Sequence, residues 1–201
     1  MLDVAVFDDG FDALSRHLPY DCFVWPGIVL LEEDGALMAV IEYRGRDQDG
    51  QDPEEIQQTA IAAANVLFPF TGGWTFHFEM QRRRAGGYPR GTGAHKVPTL
   101  IDEERRRRLD APGQQFLTRT FVAATYTPTA ARSRRAADWF VRNPPQRAAP
   151  DVMRDHVEPF HRLMVQFATL LGRAVGWARL LDDAAVQTFL HNCVSPVYQA
   201  R

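Results

Sequence analysis

The 201-residue chain has a formal net charge of −2, is 45% hydrophobic and 24% charged, and contains two cysteines. That is enough chain for one sizeable core, with no overall field to attract nucleic acid or an anionic membrane and no disulfide framework. The acidic start MLDVAVFDDGFD lacks the basic flank of an export signal, and the most apolar run, AIAAANVLFPF, is too short to span a bilayer.

In chain order, GIVLLEEDGALMAVIEYRG reads as a β-hairpin, with apolar runs at 28–31 and 36–43 around Asp34 and Gly35. QDPEEIQQTAIAAANVLF reads as a helix. Asp52 caps it, Pro53 suits its first turn, and Glu55 stands at capping-box spacing. Ile56, Ala60, Ala63, Ala64 and Leu67 form its apolar stripe, with alanines small enough for close approach to a sheet. In WTFHFEMQ, Trp74, Phe76, Phe78 and Met80 alternate with Thr75, His77, Glu79 and Gln81, the pattern of a strand with one buried and one wet face. The expectation is that Trp74, Phe76 and Phe78 pack under the helix of Ile56 and Leu67.

A Gly/Pro-rich loop at 85–98 leads to TLIDEERRRRL, a surface helix with Thr99 as cap and Glu103–Arg107 and Glu104–Arg108 as i,i+4 pairs. FLTRTFVAATYT is another strand. Residues 128–150 turn to Ala, Arg and Pro, a connector with a short helix near Trp139. PFHRLMVQFATLLGRAV is a helix with Phe160, Leu163, Met164, Phe167, Leu170 and Leu171 on one side, and a second helix starts near Asp182. The resulting order is β-β-α-β-α-β followed by helices. This predicts an α+β fold, mainly antiparallel sheet with helices packed against it and a helical C-terminal part.

The catalytic signals are weak. In RGTGAHKVPT the only lysine, Lys96, stands between His95 and Val97, so G-K-[ST] is not formed and no Walker A loop exists in the chain. His156 and His161 are spaced i,i+5 and interrupted by Pro159, unlike the i,i+4 pair of a zinc-protease helix. They read as surface histidines. Cys193, close to His191, reads as a small core residue rather than a nucleophile. No catalytic, cofactor or metal residue is assigned.

Arginine is clumped at Arg82, Arg83 and Arg84, at Arg105, Arg106, Arg107 and Arg108, and at Arg132, Arg134 and Arg135. Nucleic-acid phosphates would suit such runs, but interleaved aromatics and glycines are missing. A surface that docks a protein or a lipid headgroup fits better on a chain of net negative charge.

Four stretches in order resemble the N-terminal domain of the TrbE/CagE/VirB family of conjugal-transfer (type IV secretion) ATPases. They are LPYDCFVWPGIVLLEEDGALMAVIEYRGRD, GGWTFHFEMQRRRAGGYP, LIDEERRRRLDAPGQQFLTRTFVAATYTPT and LLDDAAVQTFLHNCVS, covering most of residues 15–196. The resemblance implies one N-terminal docking domain over 1–201, made of a sheet-containing core (1–127), an Arg/Pro-rich connector (128–150) and C-terminal helices (151–201). The ATPase domain, with its ATP and Mg²⁺, would lie outside these residues. It further implies a bacterial, cytoplasmic protein held peripherally at the inner membrane by channel components, with its own ATPase domain and self-association as further contacts. The expected partner surface is Trp25 with Arg82, Arg83, Arg84, Arg105, Arg106, Arg107 and Arg108. A small nucleic-acid-binding protein using the arginine clusters is the alternative.

Overall fold

The computed structural model describes residues 18–31, 35–47, 49–85, 88, 96–110, 115–128, 153–195 and 197–199. The connector at 129–150, with Trp139 and the third arginine cluster, lies outside the described residues, as does most of the loop that carries His95.

Six strands form one antiparallel sheet: β1 (Tyr20–Trp25), β2 (Ile28–Leu31), β3 (Leu37–Gly45), β4 (Trp74–Arg84), β5 (Phe116–Tyr126) and β6 (Gly176–Leu180). Among the described residues four helices accompany it: α1 (Pro53–Leu67), α2 (Lys96–Leu109), α3 (Glu158–Val175), entered through one π-helical turn (Met153–Val157), and α4 (Asp183–Val194). The spatial order is β1-β2-β3-β5-β4, and β6 pairs with the C-terminal half of β3. The fold is α+β, as expected.

The predicted hairpin forms, with Ile28 opposite Ala39 and Gly35 at φ 61°. Asp52 caps α1, but its Oδ1 accepts from the backbone N–H of Glu54 at 3.1 Å, not of Glu55. Asp182 caps α4 by accepting from Ala185 N–H at 2.8 Å, satisfying a donor that the first helical turn leaves free.

The strand expected to have one wet face belongs to a sheet covered on both. On one face Leu37, Ala39, Ile41, Val122 and Ala124 meet Phe160, Met164, Phe167 and Leu171 of α3. On the other, Met38, Val40, Phe121 and Ala123 meet Val186 and Phe189 of α4. Consecutive strand residues point to opposite faces, so the unbroken apolar run of β3 is buried along its N-terminal half.

Several expected contacts differ in detail. α1 packs on α3 rather than directly on the sheet, and Ala60 and Ala64 face solvent while Ala63, Val66 and Leu67 pack inward. The rings over Trp74 and Phe76 are Phe70, Phe160 and Phe167, with centroids 4.8–5.7 Å apart. Phe78 and Met80 are 58% and 66% exposed, because β4 runs on past the helices that cover Trp74 and Phe76. Gln81, on the expected wet face, is buried. On α3, Leu170 is exposed, and the buried stripe is Phe160, Met164, Phe167, Ala168, Leu171 and Val175.

β1 and β6 are additions to the element order read in the sequence. β6 follows α3 without a loop, since Gly176 caps the helix at φ 126°, a region that disfavours a side chain, and its N–H donates to Gly172 O. Five residues with mixed burial carry little periodic signal, and their strand state comes from pairing with β3.

Candidate docking surface at the forked end of the sheet

β3 is paired on both edges, by β2 and then β6 on one and by β5 on the other. Leu37 to Tyr43 pair with Tyr126 to Thr120 of β5, while Ile41 to Gly45 pair with Leu180 to Gly176 of β6. Beyond the Tyr43–Thr120 pair, β5 stays with β4 down to Phe116 opposite Arg84, and β3 stays with β6 down to Gly45 opposite Gly176. The sheet therefore forks into two ribbons. Among the described residues the backbone of 116–119 pairs only with β4 and that of Arg44 and Gly45 only with β6. The side chain of Thr120 closes the crotch by donating from Oγ1 to the carbonyl of Tyr43.

The gap between the ribbons is an open groove of about 970 Å³. One wall carries Glu42, Tyr43, Arg44, Gly45 and Trp177, and the other carries Arg83 and the strand from Phe116 to Thr120. Phe116, Leu117 and Trp177 are 43–45% exposed there. Exposed large apolar groups rimmed by guanidinium groups are the composition of a protein-binding patch.

Glu42 organises one face of this end. Arg119 holds it with two parallel bonds of 2.7 and 2.9 Å, and Arg179, directly across in β6, adds bonds of 2.9 and 3.2 Å. Burial by itself would raise the Glu42 carboxyl pKa. The hydrogen bonds and charges of both arginines outweigh burial and hold the pKa below its ordinary 4.5. A lowered folded pKa supplies stability that is present above the unfolded value and lost as pH falls through the folded one. Glu42→Gln should therefore cost about 2 kcal/mol at neutral pH, because Arg119 keeps a half-buried charge without its counter-ion. Thermal melts should show a drop of roughly 5 °C at pH 7, and the gap to the parent should close below pH 4.5. An unchanged gap across that range would contradict the assignment.

The expected partner residues fall in three places. Arg82, Arg83 and Arg84 end β4, and strand alternation splits them. Arg82 shares a face with Phe116, whose ring it covers at 4.2 Å, while Arg83 lies on the α4 face over the ring of Tyr198 at 4.9 Å. Trp25 ends β1 on the opposite edge of the sheet, half-buried against His161 with centroids 5.8 Å apart. Arg105, Arg106, Arg107 and Arg108 ride on α2, which is inserted between β4 and β5. So the structure does not bring Trp25 next to Arg82, Arg83 and Arg84.

α2 begins at Lys96, which places Thr99 inside its first turn rather than at the cap. Arg108 pairs with Glu104 at 3.3 Å as expected, but Arg107 also reaches Glu104, at 3.9 Å, rather than Glu103. Arg106 meets Asp102 at 3.4 Å, and Tyr88 ties the helix down by donating its hydroxyl to Asp102 at 2.7 Å.

Cys193 is exposed on the last turn of α4, not in the core. It follows Phe189 by one turn, but there the sheet offers Glu79 and Gln81 instead of apolar groups, and Gln81 Nε2 donates to its Sγ at 3.7 Å. Partial burial and the charge of Glu79 raise its thiol pKa, and burial with Asp21 pushes Cys22 up to about 11, so both stay protonated at neutral pH. His191 Nε2 bonds the carbonyl of Val197 at 3.2 Å rather than a thiol. Among the described residues no group of three His, Cys, Asp or Glu could hold a metal ion, and no helix is long and apolar enough to cross a membrane.

Sequence reasoning missed Arg44, Phe116, Leu117, Arg119, Trp177 and Arg179. The run WARL, aromatic and basic residues in a short segment between two helices, was the signal for Trp177 in the groove and for Arg179 beside Glu42. The rest depends on which strands part.

A model of the N-terminal domain of the type IV secretion system ATPase VirB4/TrbE matches residues 27–134, more than half of the chain. The chain is 26% identical over 131 residues to "Conjugal transfer protein TrbE" of Rhizobium radiobacter, an alignment covering 64% of this chain and 16% of that protein. It is 29% identical over 118 residues to the first piece of a "Probable conjugal transfer protein TrbE" of Sinorhizobium fredii (strain NBRC 101917 / NGR234), covering 57% of this chain and 78% of that piece.

Proposed function

From the premise that this chain belongs to the VirB4/TrbE N-terminal domain family of type IV secretion ATPases, we propose that it is a non-catalytic adaptor. It docks a motor, whose ATP-hydrolysing domain lies elsewhere, onto inner-membrane components of the conjugal-transfer channel. Peripheral association with the inner membrane follows from those contacts. The whole of residues 1–201 acts as one docking unit in this reading.

The observation that carries it is the forked sheet end, where exposed Phe78, Met80, Phe116, Leu117 and Trp177 stand among Arg44, Arg82, Arg83 and Arg84. A chain of net charge −2 that concentrates cations beside exposed aromatic groups presents a local recognition surface rather than general solubility.

Competition in cells tests it. Overproduced in a bacterium carrying out conjugal transfer, the chain should displace the resident motor from its channel and lower transfer by about tenfold, the size of a lost 1.4 kcal/mol contact. Arg82→Glu, Arg83→Glu and Arg84→Glu together should relieve that inhibition while the purified triple variant keeps its far-ultraviolet circular dichroism. Inhibition that survives the triple variant, or no inhibition by the parent chain, contradicts the docking reading. Steeply salt-dependent binding of DNA by the parent and not by the variant would favour a nucleic-acid function instead.

A further inference from the structure

We propose that the fork in the sheet is a slot for one extended, acidic peptide strand of a partner, which pairs by its backbone with the open edge of β5. The inference deepens the docking reading by naming the surface and the chemistry of the segment it receives.

Three features point to a strand rather than to another ligand. First, two edges left open among the described residues face one groove: 116–119 on β5, and Arg44 with Gly45 on β3. Unpaired strand edges are templates for another strand, and main-chain pairing is how extended peptides join a sheet. Second, no described residue fills the space. A side chain built on Gly45 would meet nothing within 4 Å, and Leu117 and Thr118 are exposed.

Third, the walls differ by face. The groove's charged residues Glu42, Arg44, Arg83 and Arg119 are all on the α4 face, beside Leu117 and Trp177, and Tyr43, Phe116, Thr118 and Thr120 are on the other. Glu42 is already held by Arg119 and Arg179, which leaves Arg44 and Arg83 without a carboxylate partner among the described residues. An inserted strand alternates its side chains between faces. Its acidic residues would meet Arg44 and Arg83, and its apolar residues would lie against Tyr43 and Phe116. Alternating acidic and apolar residues are therefore the segment that fits. A nucleic acid supplies the charge but no strand edge.

The test uses a fluorescein-labelled peptide of alternating glutamate and valine, titrated by anisotropy into the purified chain at low salt. Controls are its lysine/valine counterpart and a version with proline at alternate positions, which keeps the charge and removes strand donors. The glutamate/valine peptide should bind at least about tenfold more tightly than either control. Arg44→Glu, an exposed position chosen to leave folding intact, should weaken binding by about tenfold, and Arg83→Glu likewise.

Hydrogen exchange should slow at 116–119 when the glutamate/valine peptide is added. Equal binding of the proline version would reduce the slot to plain charge attraction and overturn the inference. So would protection of 116–119 already present in the free chain, which would mean that a segment of the chain itself fills the fork. No binding at all also overturns it. If cellular competition persists in that case, docking stands and only the slot falls.

Discussion

Replacing Gly27 with alanine should lower the melting temperature by roughly 12 °C. Gly27 is the second residue of the β1–β2 turn, buried, with φ 75°. A Cβ there would overlap the carbonyl oxygen of Leu181, and the Gly27 N–H donates to Asp183 Oδ1 at 2.6 Å. A methyl group would thus meet backbone that cannot rotate away. Left-handed backbone costs a residue with a side chain about 1–2 kcal/mol, and forced displacement of packed atoms adds about 1–3 kcal/mol. Together with loss of the Asp183 bond the sum is about 4 kcal/mol. The control is Gly45→Ala, where the space is open and φ is not positive. It should melt within a few degrees of the parent. Equal melting of the Gly27 and Gly45 variants would show that the turn is not seated on the start of α4.

The second large effect concerns Phe121, 1% exposed, with its ring 5.0 Å from that of Phe189. Phe121→Ala should cost about 4 kcal/mol through lost transfer energy and the cavity left behind. Phe78→Ala, removing an equal ring from the neighbouring strand at 58% exposure, should cost about 1 kcal/mol or less. Chemical denaturation of both variants measures the contrast directly. Comparable losses would mean that Phe78 is covered and that the sheet end is not open. The fork, the docking surface and the peptide slot would then lose their common basis.

The contrast between these two phenylalanines also marks what periodicity can convey. WTFHFEMQ shows that Trp74, Phe76, Phe78 and Met80 share a face, and they do. It does not show how far along the strand the covering helices reach, so Phe78 and Met80 were expected inside with the others. The second helix face, where Met38, Val40 and Phe121 meet α4, was hidden for a related reason. In β3 the apolar run has no polar alternation, and such a run signals burial without saying what lies above and below.

Residues legible one by one also changed meaning when placed. Arg82, Arg83 and Arg84 read as one basic cluster, yet a strand sends the middle one to the opposite face. Trp25 and the arginines of β4, 57 or more positions apart in the chain, could have met only if their strands were neighbours. Three strands separate them.

By itself the sequence determined the local elements other than β1 and β6, and the family. Hairpin, caps and helical stripes follow from backbone preferences and short-range periodicity, and the ordered motifs that resemble the secretion ATPases are properties of the chain read linearly. Only the tertiary structure decided that β6 follows β2 along one edge of β3 while β5 parts from the other, that the sheet forks, and that Arg44, Arg83 and Phe116 line one groove. Those outcomes depend on pairing between segments as much as 139 residues apart, such as Ile41 with Leu180. Strand partners are chosen by the competition of whole surfaces for burial, which no window along the chain contains.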